Sequence, residues 1–182
     1  MRLAAYPPGK GDITNMIRSY IHRCQKDGVK IVMNCEVTPE LIKEEKPDSV
    51  IIATGSKTLI LPIEGIDNPA IIHGSDLLDG KRAAGKKVLV VGGGMVGCET
   101  AAFLGEQEHD VTVIEFRDTV GADVIHEHRV YLMKDFEDYG IKEITGAKVC
   151  KFYEDGVEYE TADGQRHETR GYDSVILSMG FR

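Results

Sequence analysis

Gly92-Gly93-Gly94-Met95-Val96-Gly97 carries glycines at the spacing G-x-G-x-x-G, a pattern whose chemistry is the holding of phosphate. Each spaced glycine has a mechanical task. Gly92 permits a tight turn out of a preceding strand, Gly94 lets a pyrophosphate approach the backbone, and Gly97 lets the next helix pack against that strand. Such a helix aims unpaired N–H groups and the positive end of its dipole at the anion. Alone the pattern is weak, because a glycine-rich turn can be only a turn. Here an apolar run over 87–91 precedes it, helical residues follow, and Glu115 closes the next apolar run. A carboxylate at that place accepts hydrogen bonds from the ribose 2′- and 3′-hydroxyls, so loop and acid together describe a site for the ADP half of a dinucleotide. Glu115 would repel a 2′-phosphate and so favours NADH. Arg117 could pair with such a phosphate, which leaves NADPH open.

Other residue types capable of chemistry are arranged less tellingly. Cys24, Cys35, Cys98 and Cys150 form no C-x-x-C and read as small reduced residues rather than as a redox dithiol, zinc site or cluster. His126 and His128 are two apart, so on a helix they would not face one metal ion. Ser56, Ser75 and Ser178 lack a neighbouring His–Asp pair that would make a nucleophile. The pairs Lys81-Arg82 and Lys86-Lys87 read as a solvated linker. No side chain is therefore assigned a catalytic or metal-binding part. A net charge of −8 argues against nucleic acid as a partner, whereas backbone N–H groups can hold a dinucleotide without net positive charge. No apolar run approaches the roughly 20 residues of a membrane span, and the start Met1-Arg2-Leu3-Ala4-Ala5-Tyr6-Pro7-Pro8 breaks too early for a signal-peptide core. A cytoplasmic protein without a membrane partner is expected.

The elements that must position this chemistry are legible in part. Over 87–115, strand, helix (95–107) and strand (111–115) make one βαβ unit, whose parallel strands require the crossover helix. A further helix is predicted over 125–139. Beyond Ile141 short alternating stretches at 147–153, 157–161 and 165–169 predict a meander, with Asp155-Gly156 and Asp163-Gly164 as its turns. Residues 172–178 should form a last buried strand. In the first part, Ile13, Met16, Ile17, Tyr20, Ile21 and Cys24 recur at helical spacing, with Asp12 placed to cap and Gly28 to end the helix. A strand over 30–33 should follow, then a helix opened by Thr38-Pro39. The apolar run over 49–53 predicts a strand covered on both faces. Pro62, Gly65, Pro69, Gly74, Gly80 and Gly85 punctuate an irregular connection, broken by a helical turn near 75–78. The expected class is α/β: a Rossmann-like parallel sheet with an attached antiparallel β-meander.

Three strings, in order, resemble the pyridine-nucleotide flavoprotein reductases. Val90 to Glu99 is similar to their nicotinamide-binding motif. Ile51-Ile52-Ala53-Thr54-Gly55-Ser56, with Pro62 beyond it, resembles the Ala-Thr-Gly motif where the chain crosses from the FAD domain. Val175-Ile176-Leu177-Ser178-Met179-Gly180-Phe181-Arg182 resembles the return crossing. Ala4-Ala5-Tyr6-Pro7-Pro8-Gly9-Lys10 and Glu36-Val37-Thr38-Pro39-Glu40 look more narrowly like the C-terminal module of the two-flavin Old Yellow Enzyme branch, with its dienoyl-CoA and enoate reductases and trimethylamine dehydrogenase.

The resemblance implies that Gly92, Gly94, Gly97 and Glu115 hold the ADP half of NADH or NADPH and that Gly180 lets the chain pass close to the cofactor, while Gly93, Met95, Val96 and Arg117 are expected among the cofactor-binding residues beside them. Glu99 matches an acid near the nicotinamide end. The alternative is an ordinary exposed glutamate favoured by the helix dipole. Ala53, Thr54 and Gly55 would lie along FAD, or simply end a strand. The family's first FAD motif is absent, so a piece of a longer parent is expected: part of an FAD domain over 1–80 and a dinucleotide-binding domain over 81–182. FMN and an iron–sulfur cluster are implied for the parent's other parts. Hydride would pass from NAD(P)H to FAD, then to a second flavin and an enoate-like substrate, while this chain alone would bind NADH without turnover. Its partners would be the missing FAD and FMN domains or, through open apolar edges, a second copy. An NAD(H)-sensing or vestigial ADP-binding module is the competing reading.

Overall fold

The computed structural model describes residues 2–181. After a 3-10 turn at Arg2–Ala5 come α1 (Asp12–Lys26) and α2 (Pro39–Glu45). The spacing of Ile13 to Cys24 does make α1, and the Val29 N–H closes it on the Cys24 carbonyl at 2.9 Å, just past Gly28. Asp12 is not its cap. Gly11 holds that position, and Asp12 is the first helical residue, where its charge still suits the dipole. Thr38 caps α2 as expected, its Oγ1 accepting the Leu41 N–H at 3.3 Å with Pro39 opening the first turn.

Two strands expected in this part do not form. Residues 30–33 and 49–53 carry no strand, and far from being covered on both faces Ile51 is 91% and Ile52 83% exposed. The reason is that a strand exists only through its partner. Apolar, β-branched residues create the demand, and no neighbouring strand among the described residues satisfies their N–H and C=O groups.

The remainder builds three layers. In chain order they contain β1 (Ile72–His73), α3 (Gly74–Leu78), β2 (Lys87–Val91), α4 (Met95–Glu106), β3 (Asp110–Ile114), α5 (His126–Asp138), β4 (Lys142–Ile144), β5 (Lys148–Tyr153), β6 (Gly156–Glu160), β7 (Arg166–Thr169) and β8 (Ser174–Leu177). The middle layer is a five-stranded parallel sheet in the order β1-β8-β2-β3-β4. Strand β2 shows why the layers exist. Val88 and Val90 point to one face and pack with Ala101, Ala102 and Leu104 of α4 and Leu132 and Phe136 of α5. Leu89 and Val91 point to the other and pack with Val149, Phe152 and Val157 of the antiparallel sheet β5-β6-β7. A strand covered on both faces reads as a continuous apolar run, and each such side chain contributes roughly 1.5–3 kcal/mol on full burial.

β1 and β4 are not foreseen by the sequence, because two or three residues are too few to show a period. β1 and α3 precede residue 80 yet belong to this sheet and its core through Ile72 and Leu77. The first meander turn falls on Glu154-Asp155, one residue earlier than expected. Gly156 already stands in β6, where a side chain would meet the Thr169 carbonyl oxygen at 2.0 Å. The second turn does contain Asp163-Gly164, with Gly164 at φ +78°. No described helix is long and apolar enough to cross a membrane.

Candidate functional site

In a parallel sheet the loops at the carboxyl ends of the strands open around a crevice. Here β2, β3 and β8 deliver Gly92, Glu115 and Ser178 to the same edge. Gly92 leaves β2 at φ +106°, and a Cβ on it would lie 2.5 Å from the Ser178 carbonyl oxygen. A Cβ on Gly97 would lie 1.7 Å from the Gly92 carbonyl oxygen. Both glycines therefore do what their spacing implied: one turns the chain, the other lets α4 start against it.

Glu115 is tied into this turn. Its Oε2 accepts the Gly93 N–H at 2.5 Å and its Oε1 accepts the Arg117 N–H at 2.9 Å. A carboxylate has about four lone-pair directions, so two acceptor positions remain for a ligand. The crevice is a cavity of about 560 Å³, within the usual range for small-molecule sites. Gly92, Gly94, Met95 and Val96 form its floor, Glu115, Phe116 and Arg117 one wall, and Met179 and Gly180 another.

Three lining residues have no signal in the sequence. Phe116 is 67% exposed and offers an aromatic face at the mouth, Lys148 stands at the start of β5, and Asp123 lies over α4. Only packing of the loop 115–125 and of the meander brings them in.

Glu99 is not the exposed glutamate of the alternative reading. It is buried, its Oε1 paired with Lys10 Nζ and lying 3.1 Å from His128 Nε2, and it does not line the cavity. His128, unremarkable on its own helix, thus joins α5 to α4, and Lys10 ties the segment before α1 to the sheet domain. Ala53, Thr54 and Gly55 are exposed and line no part of the cavity. The next residues do reach it. The Leu59 N–H donates to the Gly180 carbonyl at 2.9 Å and Thr58 bridges Phe181, so the two crossing segments lie side by side with Leu61 and Pro62 in the wall. Arg182, at the end of the return motif, lies outside the described residues.

The buried Cys98 thiol is pushed up to about 12 by burial, while its Sγ donates toward the Gly93 carbonyl at 3.2 Å. The thiolate is the reactive form, so Cys98 should stay unlabelled by a disulfide-exchange reagent at pH 8 in the native protein and react on unfolding. Exposed Cys35 should react first, as peptide mapping after brief labelling would show. Fast native labelling of Cys98 would contradict the packing described for α4.

Residues 10–182 match the family described as pyridine nucleotide-disulphide oxidoreductase. Bilirubin reductase of Mediterraneibacter gnavus is 31% identical over 100% of this chain and 28% of its own length. Cinnamate reductase of Clostridium sporogenes is 30% identical over 96% of this chain and 26% of its own. Among solved structures, 2-naphthoyl-CoA reductase in complex with 2-naphthoyl-CoA superposes with a TM-score of 0.86 at 33% identity, over 98% of this chain and 27% of that one. The chain spans less than a third of each of these proteins.

Proposed function

Because the chain belongs to the pyridine nucleotide-disulphide oxidoreductase family, we propose that it is the dinucleotide-binding part of a larger NADH:flavin oxidoreductase of the two-flavin, Old Yellow Enzyme-like branch. The observation that carries this reading is Glu115 held by the Gly93 N–H at the mouth of a cavity floored by Gly92 and Gly94. When bound, a reduced nicotinamide supplies a hydride.

The chain's own residues bind and orient. The Gly92–Gly97 turn and the first turn of α4 receive the pyrophosphate. Glu115 offers its two remaining acceptor positions to the adenosine ribose, and Phe116 covers the adenine side. Met179 and Gly180, following β8 on the other side of β2 from Glu115, would face the cofactor's reactive ring. Glu115 favours NADH, since a 2′-phosphate would meet a carboxylate already fixed in place. Arg117 and Lys148 at the rim are the groups that would admit NADPH.

FAD is implied by the family, but Ala53, Thr54 and Gly55 stand exposed and form no cradle within this chain. These residues by themselves do not fit FAD. In the parent protein the rest of the flavin half would cover Val50, Ile51 and Ile52, and electrons would pass to a second flavin and an enoate-like acceptor. The names of the cinnamate and naphthoyl-CoA reductases support that acceptor class.

Calorimetric titration of the chain with NADH, NADPH, ADP and FAD tests the reading. NADH should bind about tenfold tighter than NADPH, one lost charge-assisted contact being worth about that factor, and no turnover should accompany binding. Equal affinity for ADP and NADH would turn the reading into that of a structural ADP site. Absence of binding by any nicotinamide would overturn it.

A further inference from the structure

Asp123 sits where an anion is expected. Its Oδ1 accepts the Met95 N–H, the first of α4, at 2.9 Å. A Cβ built on Gly94 would lie 3.1 Å from Oδ2 and 3.4 Å from Oδ1. The carboxylate therefore stands over the glycine whose bareness leaves room for a pyrophosphate, inside the same cavity.

The loop carrying it is anchored independently. The Gly121 N–H donates to the Gly93 carbonyl at 2.7 Å, Val120 is fully buried, and Arg129 Nη2 bonds Thr119 Oγ1 at 2.9 Å and the Val120 carbonyl at 3.1 Å. Asp123 itself is exposed, so its side chain is free to leave while the loop stays.

We infer that Asp123 is a built-in competitor for the phosphate position: its carboxylate takes the first N–H of α4 and must swing away when a dinucleotide binds. This rests on the dinucleotide reading of the site. Two like charges cannot share one N–H and one helix end in comfort, so ligand and carboxylate exclude each other. If the latched form makes up about nine-tenths of the free protein, apparent affinity falls about tenfold. The benefit is release: a site that re-caps itself lets a spent cofactor leave.

The test titrates the full chain and its Asp123→Asn and Asp123→Ser variants with ADP, and with adenosine as the ligand without phosphate. Both variants should bind ADP about tenfold tighter than the parent sequence while adenosine affinity stays the same. In the free variants the Met95 amide resonance should move from its parental position, reporting loss of the carboxylate. ADP binding that is unchanged or weakened in both variants, with the parent binding ADP, overturns the competitor and leaves the site standing. Failure of parent and variants alike to bind ADP overturns both.

Discussion

Gly97→Ala is expected to bind NADH at least 100-fold more weakly than the parent sequence and to lose about 3 kcal/mol of stability, the upper part of the range for forcing one methyl into a filled space. The methyl would sit 1.7 Å from the Gly92 carbonyl oxygen and 2.8 Å from its carbon, and both are backbone atoms. Neither can give way easily. The Gly92 N–H is bonded to the Ile114 carbonyl at 2.9 Å, and the adjoining Val91 carbonyl accepts the Ser178 N–H at 2.8 Å. Relief must come from displacing α4 or opening the turn, and either move takes the helix N-terminus away from the phosphates. Loss of a well-placed set of phosphate contacts costs far more than a tenfold factor. Gly11→Ala is the control, because φ there is −54° and nothing lies within 4 Å of the new methyl. Denaturant titration and NADH calorimetry under folding conditions separate the two effects. An affinity within threefold of the parent would show that the turn is not the binding floor.

Glu115→Ala should change which cofactor the site prefers. NADH loses the acceptors for its ribose hydroxyls and should weaken about 10- to 100-fold, the equivalent of one or two charge-assisted hydrogen bonds. NADPH should weaken less than NADH, because the like charge facing its 2′-phosphate goes too, and Arg117 and Lys148 remain in the lining. The ratio of the two dissociation constants is the quantity to measure, since truncation also frees the Gly93 and Arg117 N–H groups and loosens the turn for both cofactors alike. Glu115→Gln should fall between, keeping an acceptor while losing the charge. Parallel weakening of NADH and NADPH in both variants would mean that Glu115 only braces the turn and does not select.

The geometry at the centre of the candidate site was legible along the chain because its requirements are local. A turn that bends sharply and lets a helix start against the strand can be written in six residues, Gly92 to Gly97. The strands on either side announce themselves as apolar runs, being covered on both faces. The Thr38-Pro39 helix start is equally local. The acid at the end of β3 follows from the length of the crossover, and the meander from its alternation.

Tertiary structure alone decided the rest. Asp123 reaches the Met95 N–H only because Val120 and Gly121 dock the intervening loop on Gly93. Glu99 becomes the buried ion-pair partner of Lys10, from a distant segment, and comes within hydrogen-bond distance of His128, from the neighbouring helix, only when both fold onto it. The sequence placed all three residues without a means of pairing them. Residues 30–33 and 49–53 show the converse. Their side chains ask for a sheet, but strand hydrogen bonds are made between segments and not within one, so composition states a preference that only a neighbouring strand can fulfil.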